Sequence, residues 1–231
     1  MVQQLTLADS LSLGDLHTYL QRAGRVEDGS VRLVAGSGIL AVYTAILYPR
    51  GILDESPTVL GLRTFALFET EDFDVVVPMR SLVERIVRAR SELADDDESR
   101  PVTMTRPPEV NTVTWAGISP PRGGWRALGE TDAATLEAAA RAGIDEVATA
   151  IPEGTGEQLV QRVRSEVWGR GVPGLEYVPA GAAFGAFSLG FLGDDPVRLF
   201  ETGPWTRLTS RRGHVLVRRK PWTFLAALGA L

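Results

Sequence analysis

The spacing of apolar residues near the start of the chain predicts a helix. The apolar positions recur every three or four residues, at Leu13, Leu16 and Leu20. Ser12 followed by Asp15 resembles a capping box, and Gly24 is typical of a helix end. We therefore expect a helix from Ser12 to Gly24.

Runs rich in β-branched and aromatic residues predict strands in the same part of the chain. These runs are Gln3–Leu7, Val31–Ala35, Ile39–Tyr48, Thr58–Phe68 and Phe73–Val77. Glycine and proline separate most of them, as expected for turns. Pro78 ends the last run, and Ser81 with Glu84 forms a capping box that predicts a second helix continuing to about Leu93.

The later part of the chain contains both patterns. A strand is predicted near Val110–Ala116, followed by an alanine-rich helix that begins after Asp132, ends at Gly143 and has a further helical piece to Ile151. Another helix is predicted to begin at Thr155. Extended runs then follow at Glu176–Val178, Ala182–Leu192, Arg198–Phe200, Trp205–Thr209 and His214–Arg218.

The segment 94–108 is the predicted boundary between two lobes. It contains the acidic run Asp95–Glu98 and three prolines, a composition that cannot bury a core. We predict an N-terminal α+β lobe over 1–93, an acidic, proline-rich linker or loop over 94–108 and a C-terminal α+β lobe over 109–231. The apolar tail Trp222–Leu231 is expected to pack on the body of the protein.

The order of these elements predicts an α+β fold. Because strands follow one another in runs, we expect mostly antiparallel sheet with helices packed on one side, and a doubly wound parallel sheet is the second choice. The two lobes share an outline that suggests internal duplication. Two registers compete: one superposes Val31–Tyr48 on Leu175–Leu192, and the other aligns the helix around Leu16 with the helix around Leu136.

Composition narrows the chemistry. The chain of 231 residues has a formal net charge of −5, no cysteine and two histidines. Disulfides, thiolate nucleophiles and sulfur-ligated metals are therefore excluded, and neither a metal nor a cofactor is expected. The negative net charge argues against nucleic acid as the main partner. The N-terminus lacks a signal pattern and no apolar run is long enough to span a membrane, so a cytoplasmic location is predicted.

One short motif has the form of a dinucleotide-binding loop. Gly36, Gly38 and Ala41 follow an apolar run as GxGxxA, but such a loop must open a helix. The residues after Gly38 favour a strand, which indicates a tight turn between antiparallel strands. The phosphate loop is kept as the alternative.

A basic–aromatic cluster near the C-terminus is the stronger candidate for binding. It comprises Arg211, Arg212, His214, Arg218 and Arg219, flanked by Trp205 and Trp222. If His214–Arg218 is a strand, alternation places His214, Leu216 and Arg218 on one face. Arginines beside tryptophans suit a phosphorylated ligand, an acidic partner or a nucleic-acid backbone, whereas charges on a strand also protect a sheet edge from aggregation.

Three segments carry a resemblance to known sequences. They are ValLeuGlyLeuArgThrPheAlaLeu at 59–67, PheAspValValValPro at 73–78 and ArgGlyHisValLeuValArg at 212–218. In these segments the chain resembles uncharacterised proteins from high-GC Gram-positive bacteria. The resemblance implies no activity, cofactor or site.

Two functional hypotheses remain. The favoured one is a non-catalytic binding or assembly protein that uses the basic–aromatic C-terminal face, with an unknown protein or a small anionic ligand as partner and a homodimer as the expected assembly. The alternative is an enzyme acting on a small metabolite, either nucleotide-linked through Gly36–Ala41 or hydrolytic through paired carboxylates such as Asp54 and Glu55. No catalytic residue is assigned for it.

Overall fold

The computed structural model describes residues 3–51, 54–93, 99–111, 113–152 and 154–218. They belong to two compact units, the first comprising Met1–Ala45 with Leu62–Ile118 and the second Ile46–Gly61 with Ser119–Leu231. The expected packing of the tail Trp222–Leu231 lies outside the described residues. The lobe boundary at 94–108 stays a prediction.

In its described residues the first unit is built from strands, two α-helices and a short 3₁₀ helix. In chain order its elements are β1 (Gln4–Leu7), α1 (Ser10–Gly24), β2 (Ser30–Gly36), β3 (Ile39–Leu47), β4 (Thr58–Ala66), β5 (Phe73–Pro78), α2 (Met79–Ser91) and β6 (Val102–Thr105), with β3 and β4 continuing into the second unit. Val31, Leu33 and Ala35 are buried, whereas Arg32 and Val34 between them are more exposed. The alternation shows that one face of β2 belongs to the core.

Both helices of the first unit begin earlier than the sequence patterns predict. The carboxylate of Asp9 accepts a hydrogen bond from the Ser12 amide at 2.6 Å, so Asp9 is the N-cap of α1 and the capping box at Ser12 is wrong. Helix α2 begins directly after Pro78 and has no side-chain cap, so the box at Ser81 is wrong as well. Apolar packing of Met79 starts α2, since this side chain is buried in the first turn.

Two other expectations in this unit are corrected. The segment 94–108 contains strand β6, which pairs antiparallel with β1 through Leu7 and Val102. Val102 and Met104 are buried, and this two-residue alternation is what the proline-rich surroundings concealed. The strand predicted near Val110–Ala116 is absent from the described part of that range, which instead contains a short 3₁₀ helix at Thr114–Gly117.

The second unit combines three helices with a meander of strands. Its further elements are β7 (Arg126–Thr131), α3 (Ala133–Ala150), α4 (Glu157–Gly169), β8 (Gly171–Val172), β9 (Leu175–Pro179), α5 (Ala180–Ser188), β10 (Val197–Thr202), β11 (Trp205–Ser210) and β12 (Gly213–Arg218). Within this unit, the sheet has the strand order β12-β11-β10-β7. Strands β10, β11 and β12 pair antiparallel in sequence order.

Helix α5 occupies much of a run that was predicted to be extended. The prediction of strand over Ala182–Leu192 is wrong because small residues let a helix pack closely here. A Cβ placed on Gly185 would lie 3.0 Å from Val59 and 3.3 Å from Val215, and one on Gly181 would lie 3.1 Å from the Trp168 carbonyl oxygen. Because such close packing depends on distant partners, the local sequence does not reveal it.

The fold class predicted from the sequence is confirmed: the protein is α+β with a large antiparallel sheet. Two helices pack together in each unit, α1 with α2 and α3 with α5. The register that superposes Val31–Tyr48 on Leu175–Leu192 fails, because the first range is a strand hairpin and the second contains α5. The other register pairs α1 with α3, and Leu16 and Leu136 are both fully buried. Among the described residues, no helix is both long and apolar enough to cross a membrane.

Candidate functional site

The β11–β12 hairpin places the predicted binding residues at its two ends. At the turn, Arg212 donates hydrogen bonds to the carbonyl oxygens of Leu192 at 2.8 Å and Gly190 at 3.4 Å, and Arg211 lies 3.3 Å from Asp195. Arg212 therefore holds the loop before β10. Arg218 lies at the far end of the hairpin, directly opposite Trp205.

The remaining predicted residues lie on the strands or beyond them. His214 is directly opposite Thr209, and its Nδ1 lies 3.0 Å from the Thr209 hydroxyl. Trp205 is only 4% exposed. Arg219 and Trp222 lie outside the described residues.

Strand alternation places nine residues on one side of β10, β11 and β12, and among them Trp205, Thr209 and Leu216 are buried. Cross-strand pairing defines three rows, and these are Arg198–Thr209–His214, Phe200–Arg207–Leu216 and Thr202–Trp205–Arg218. We call this surface the basic–aromatic face. The opposite side of the sheet includes Val215, against which α5 packs, so the face points away from that helix.

Aromatic rings and guanidinium groups alternate across the basic–aromatic face. The guanidinium carbon of Arg207 lies 4.5 Å from the ring centroid of Trp125 and 4.4 Å from that of Phe200. The guanidinium carbon of Arg198 lies 5.8 Å from the ring centroid of Phe200. Such cation–π contacts hold the arginine heads in place without neutralising their charge.

The electrostatics of the face are those of an uncompensated positive cluster. Burial lowers the pKa of Arg207, and the neighbouring Arg198 lowers it further. Burial, then Arg207 and Arg198, lowers the pKa of His214 to about 4, so its imidazole is neutral at pH 7. The Arg207 Nε atom is buried and has no hydrogen-bond partner within the described ranges.

The arginines of the face lack carboxylate partners. Glu130 of β7 lies directly opposite Arg198, yet no ion pair joins them in the part of the chain that the structure describes. The same holds for Arg207 and Arg218 among the described side chains. An anion approaching this face therefore meets arginines that form no ion pair within the described residues, although Glu130 lies beside Arg198.

Helix α2 carries a second group of arginines, but most of these have partners. Arg80 donates to the Asp28 carboxylate with Nε at 3.0 Å, and Arg85 donates to the Ser81 carbonyl oxygen at 2.9 Å. Arg90 donates to Nδ1 of His17 at 3.0 Å. Within the described residues, Arg80 is the arginine of α2 that is paired with a carboxylate.

Sequence reasoning missed the centre of this face. Arg198, Phe200, Arg207 and Trp125 were not among its candidates, although a signal for three of them was present. Arg198 and Phe200 alternate on β10, as do Trp205, Arg207 and Thr209 on β11, in phase with His214 and Arg218. Only tertiary structure brings Trp125 to Arg207, because the two lie far apart in the sequence.

The GxGxxA motif forms a hairpin. Gly36 pairs with Ile39, while Ser37 and Gly38 take positive φ values of 53° and 75°. Positive φ at both central positions is the geometry of the tight turn that matches strand twist. Ala41 lies within β3, so this motif does not open a helix as a pyrophosphate site would require.

The carboxylate pair considered for acid–base chemistry lines a cleft of about 970 Å³ in the second unit. Burial would raise the pKa of Asp54, but hydrogen bonds from the Arg50 amide and from Ser56 hold it below its ordinary value. An ionised carboxylate bound by its own loop shapes a turn and is poorly suited to proton transfer. Within the described residues, no group of three or more acids and histidines could hold a metal ion.

Comparisons with known proteins show two matched families of unknown function. Residues 1–106 match the model of a domain of unknown function (DUF8010), and residues 120–222 match that of another (DUF8185). No curated protein matches the chain in sequence.

The fold is similar to that of bacterial sliding clamps. The β subunit of DNA polymerase III from Borrelia burgdorferi, in complex with a natural product, is 8% identical with a TM-score of 0.54, and the match covers 95% of this chain and 65% of that one. The DnaN sliding clamp from Bartonella birtlesii, bound to griselimycin, is 13% identical with a TM-score of 0.50. The match covers 93% of this chain and 64% of that clamp. The DNA polymerase sliding clamp from Caulobacter crescentus is 14% identical with a TM-score of 0.49. The match covers 94% of this chain and 65% of that clamp. This chain thus spans less than two thirds of the length of each of these three proteins.

This similarity corrects the partner prediction. Net charge argued against nucleic acid, but the solved structures that share the fold include DNA polymerase sliding clamps. The physical reason is that binding depends on the local field of one surface, and a chain of net charge −5 can still present a surface on which arginines outnumber acids. The prediction that nucleic acid is an unlikely partner is therefore wrong as an exclusion.

Proposed function

We propose that this protein is a non-catalytic binding protein whose basic–aromatic face holds the phosphate backbone of nucleic acid. The observation that carries the proposal is the placement of Arg198, Arg207 and Arg218 on one side of three adjacent strands, without a carboxylate partner on the described chain. Guanidinium groups bind phosphate through paired N–H donors. The cytoplasmic location expected from the sequence is part of this proposal.

Preorganisation supports this role. Arg207 is held between two rings, and Arg198 lies against Phe200. Less side-chain entropy is lost when a guanidinium group that is already positioned binds an anion. The absence of an acidic partner among the described residues also means that no internal ion pair must break first.

The clamp-like fold supports a binding role over a catalytic one. The proteins that share it are named as polymerase sliding clamps and polymerase subunits, and their likeness to this chain is one of fold. What this chain adds is the charge pattern of its own face. Their partners are not carried over, since the chain spans only part of their length.

The test measures binding of fluorescently labelled DNA, single-stranded and duplex, by anisotropy at several salt concentrations. We expect saturable binding that weakens as salt rises, because counterions are released from the phosphates. The double variant R198S/R218S removes two exposed charges and should lower affinity about tenfold or more at low salt. The slope of the logarithm of the binding constant against the logarithm of the salt concentration should become shallower by about 1 to 2.

Arg88→Ser is the matched control. Arg88 is an exposed arginine on α2, and within the described ranges it has no ion-pair partner. Its loss should leave affinity within about twofold. Absence of saturable binding at low salt would overturn the proposal, and so would a large loss in R88S with none in R198S/R218S.

A further inference from the structure

Trp125 is the member of the aromatic stack that is set apart from the strands. It precedes β7 and follows the Pro/Gly-rich segment 119–124. Gly124 has a φ of +76°, a left-handed conformation that favours glycine. This turn directs the chain so that the indole reaches Arg207 at 4.5 Å.

The indole ring is oriented before any ligand arrives. Its Nε1–H donates to the Pro121 carbonyl oxygen at 3.1 Å, which fixes the ring within its own loop. One side of the ring contacts Arg207, yet the residue stays partly exposed. The partly exposed ring is thus held in a fixed position beside positive charge.

The other rings of the face are less available. Trp205 is 4% exposed, and Phe200 lies between Arg207 and Arg198. Trp125 is therefore the ring of the described face that can offer stacking area to a ligand. A guanidinium cluster alone would suffice for the outside of a duplex, where phosphates are displayed and bases are stacked on one another.

From this arrangement, and resting on the function proposed above, we infer that the face binds single-stranded nucleic acid and that an unpaired base stacks on Trp125 while the neighbouring phosphates lie on Arg198 and Arg207. Aromatic side chains beside a positively charged track are the general means of binding single strands without reading sequence. Duplex DNA cannot offer a free base face to this ring without melting.

The experiment compares a labelled oligothymidine of about 20 nucleotides with a duplex of the same length, a size that exceeds the usual site of one binding surface. The parent protein should prefer the single strand. Trp125→Ala should weaken single-strand binding about 5- to 100-fold, the loss expected for one stacked base, and leave duplex binding nearly unchanged. Trp125→Phe should restore most of the affinity.

Two controls separate stacking from folding. Phe68→Ala removes another aromatic ring, 62% exposed in the first unit, and should have no effect on either DNA. Trp125→Leu keeps apolar packing on Arg207 without an aromatic face. It should fold as the parent does by circular dichroism, yet bind the single strand as weakly as Trp125→Ala.

The outcomes distinguish this inference from the function on which it rests. If R198S/R218S loses both DNAs while Trp125→Ala and Trp125→Leu bind the single strand like the parent, the stacking inference fails and the phosphate-binding function stands. If the parent protein binds duplex DNA more tightly than the single strand, the stacking inference likewise fails while the phosphate-binding function stands. If no DNA binds, both the phosphate-binding function and the stacking inference are wrong. Both are also wrong if polyglutamate of equal charge competes as well as DNA does and Trp125→Ala changes nothing. The face would then bind an acidic protein partner.

Discussion

The guanidinium group of Arg207 lies on the indole ring of Trp125, with 4.5 Å between the guanidinium carbon and the ring centroid. This contact joins a strand of the sheet to the segment before β7. Because Arg207 has no carboxylate partner among the described residues, its position depends on the rings around it.

Replacing Arg207 should separate packing from charge. Arg207→Ala leaves a gap between two rings and should lower the free energy of unfolding by about 1 to 2 kcal/mol. Arg207→Met keeps an unbranched side chain between the rings and removes an unpaired charge, so it should lose less. Urea unfolding measures both variants, and equal losses would show that the guanidinium charge itself stabilises the fold.

Gly143 and Trp168 set a second test. A Cβ on Gly143 would lie 2.4 Å from the Trp168 ring, which is buried and stacks on Phe184 with a centroid distance of 4.4 Å. Because neither ring can move aside easily, Gly143→Ala should lower the free energy of unfolding by about 1 to 3 kcal/mol.

Gly14 provides the matched control for this substitution. It also lies inside a helix, α1, but a Cβ there would meet no atom within 4 Å. Gly14→Ala should therefore raise the free energy of unfolding by about 0.5 to 1 kcal/mol through helix propensity. If both alanine variants changed stability in the same direction, the close contact at Gly143 would not be the cause.

The two helix starts of the first unit make a paired prediction. Asp9→Ala removes the side-chain acceptor of the Ser12 amide and should cost about 1 kcal/mol. Ser81→Ala should have almost no effect, since α2 begins at Met79 and position 81 is not its cap. Thermal unfolding of the two variants checks this, and a larger loss at Ser81 would contradict the observed helix start.

His214 predicts how stability depends on pH. Its pKa falls from 6.5 to about 4 in the folded protein, so between these values the unfolded chain binds the proton and the folded protein does not. Stability therefore falls as pH falls through this window, by about 2 kcal/mol from pH 7.5 to pH 5 for this group.

The variant His214→Asn tests this dependence. Asn keeps a polar partner for Thr209 but does not titrate, so the decline in stability towards pH 5 should become shallower. It should not vanish, since burial and then Arg90 also lower the pKa of His17. Identical pH profiles for parent and variant, from urea unfolding at each pH, would contradict the prediction.

Much of the strand content was readable from the sequence because local composition and period suffice for it. The run Ile39–Tyr48 is β-branched and aromatic, and β3 occupies Ile39–Leu47. Ser37–Gly38 has the residues of a tight turn, and alternation placed His214 and Arg218 on one face. In each case the determining interaction lies within a few residues along the chain.

Features that depend on distant partners were decided by the tertiary structure. From the sequence alone, Gly181 and Gly185 indicate breaks in a strand. In the folded protein Val59 and Val215 lie so close that only small residues fit at these positions, and this packing makes helix α5 the stable conformation. Val102–Thr105 becomes a strand because β1 supplies its hydrogen bonds.

The basic–aromatic face also combines features set by the local sequence with features set by tertiary contacts. The sequence determined that arginines and aromatic residues would alternate on the C-terminal strands. Only the pairing of β10 with β11 and the approach of Trp125 placed Arg207 between two rings and left it without an acid among the described residues. Burial and like charge act through space, so their effect on Arg207 and His214 exists only in the folded protein.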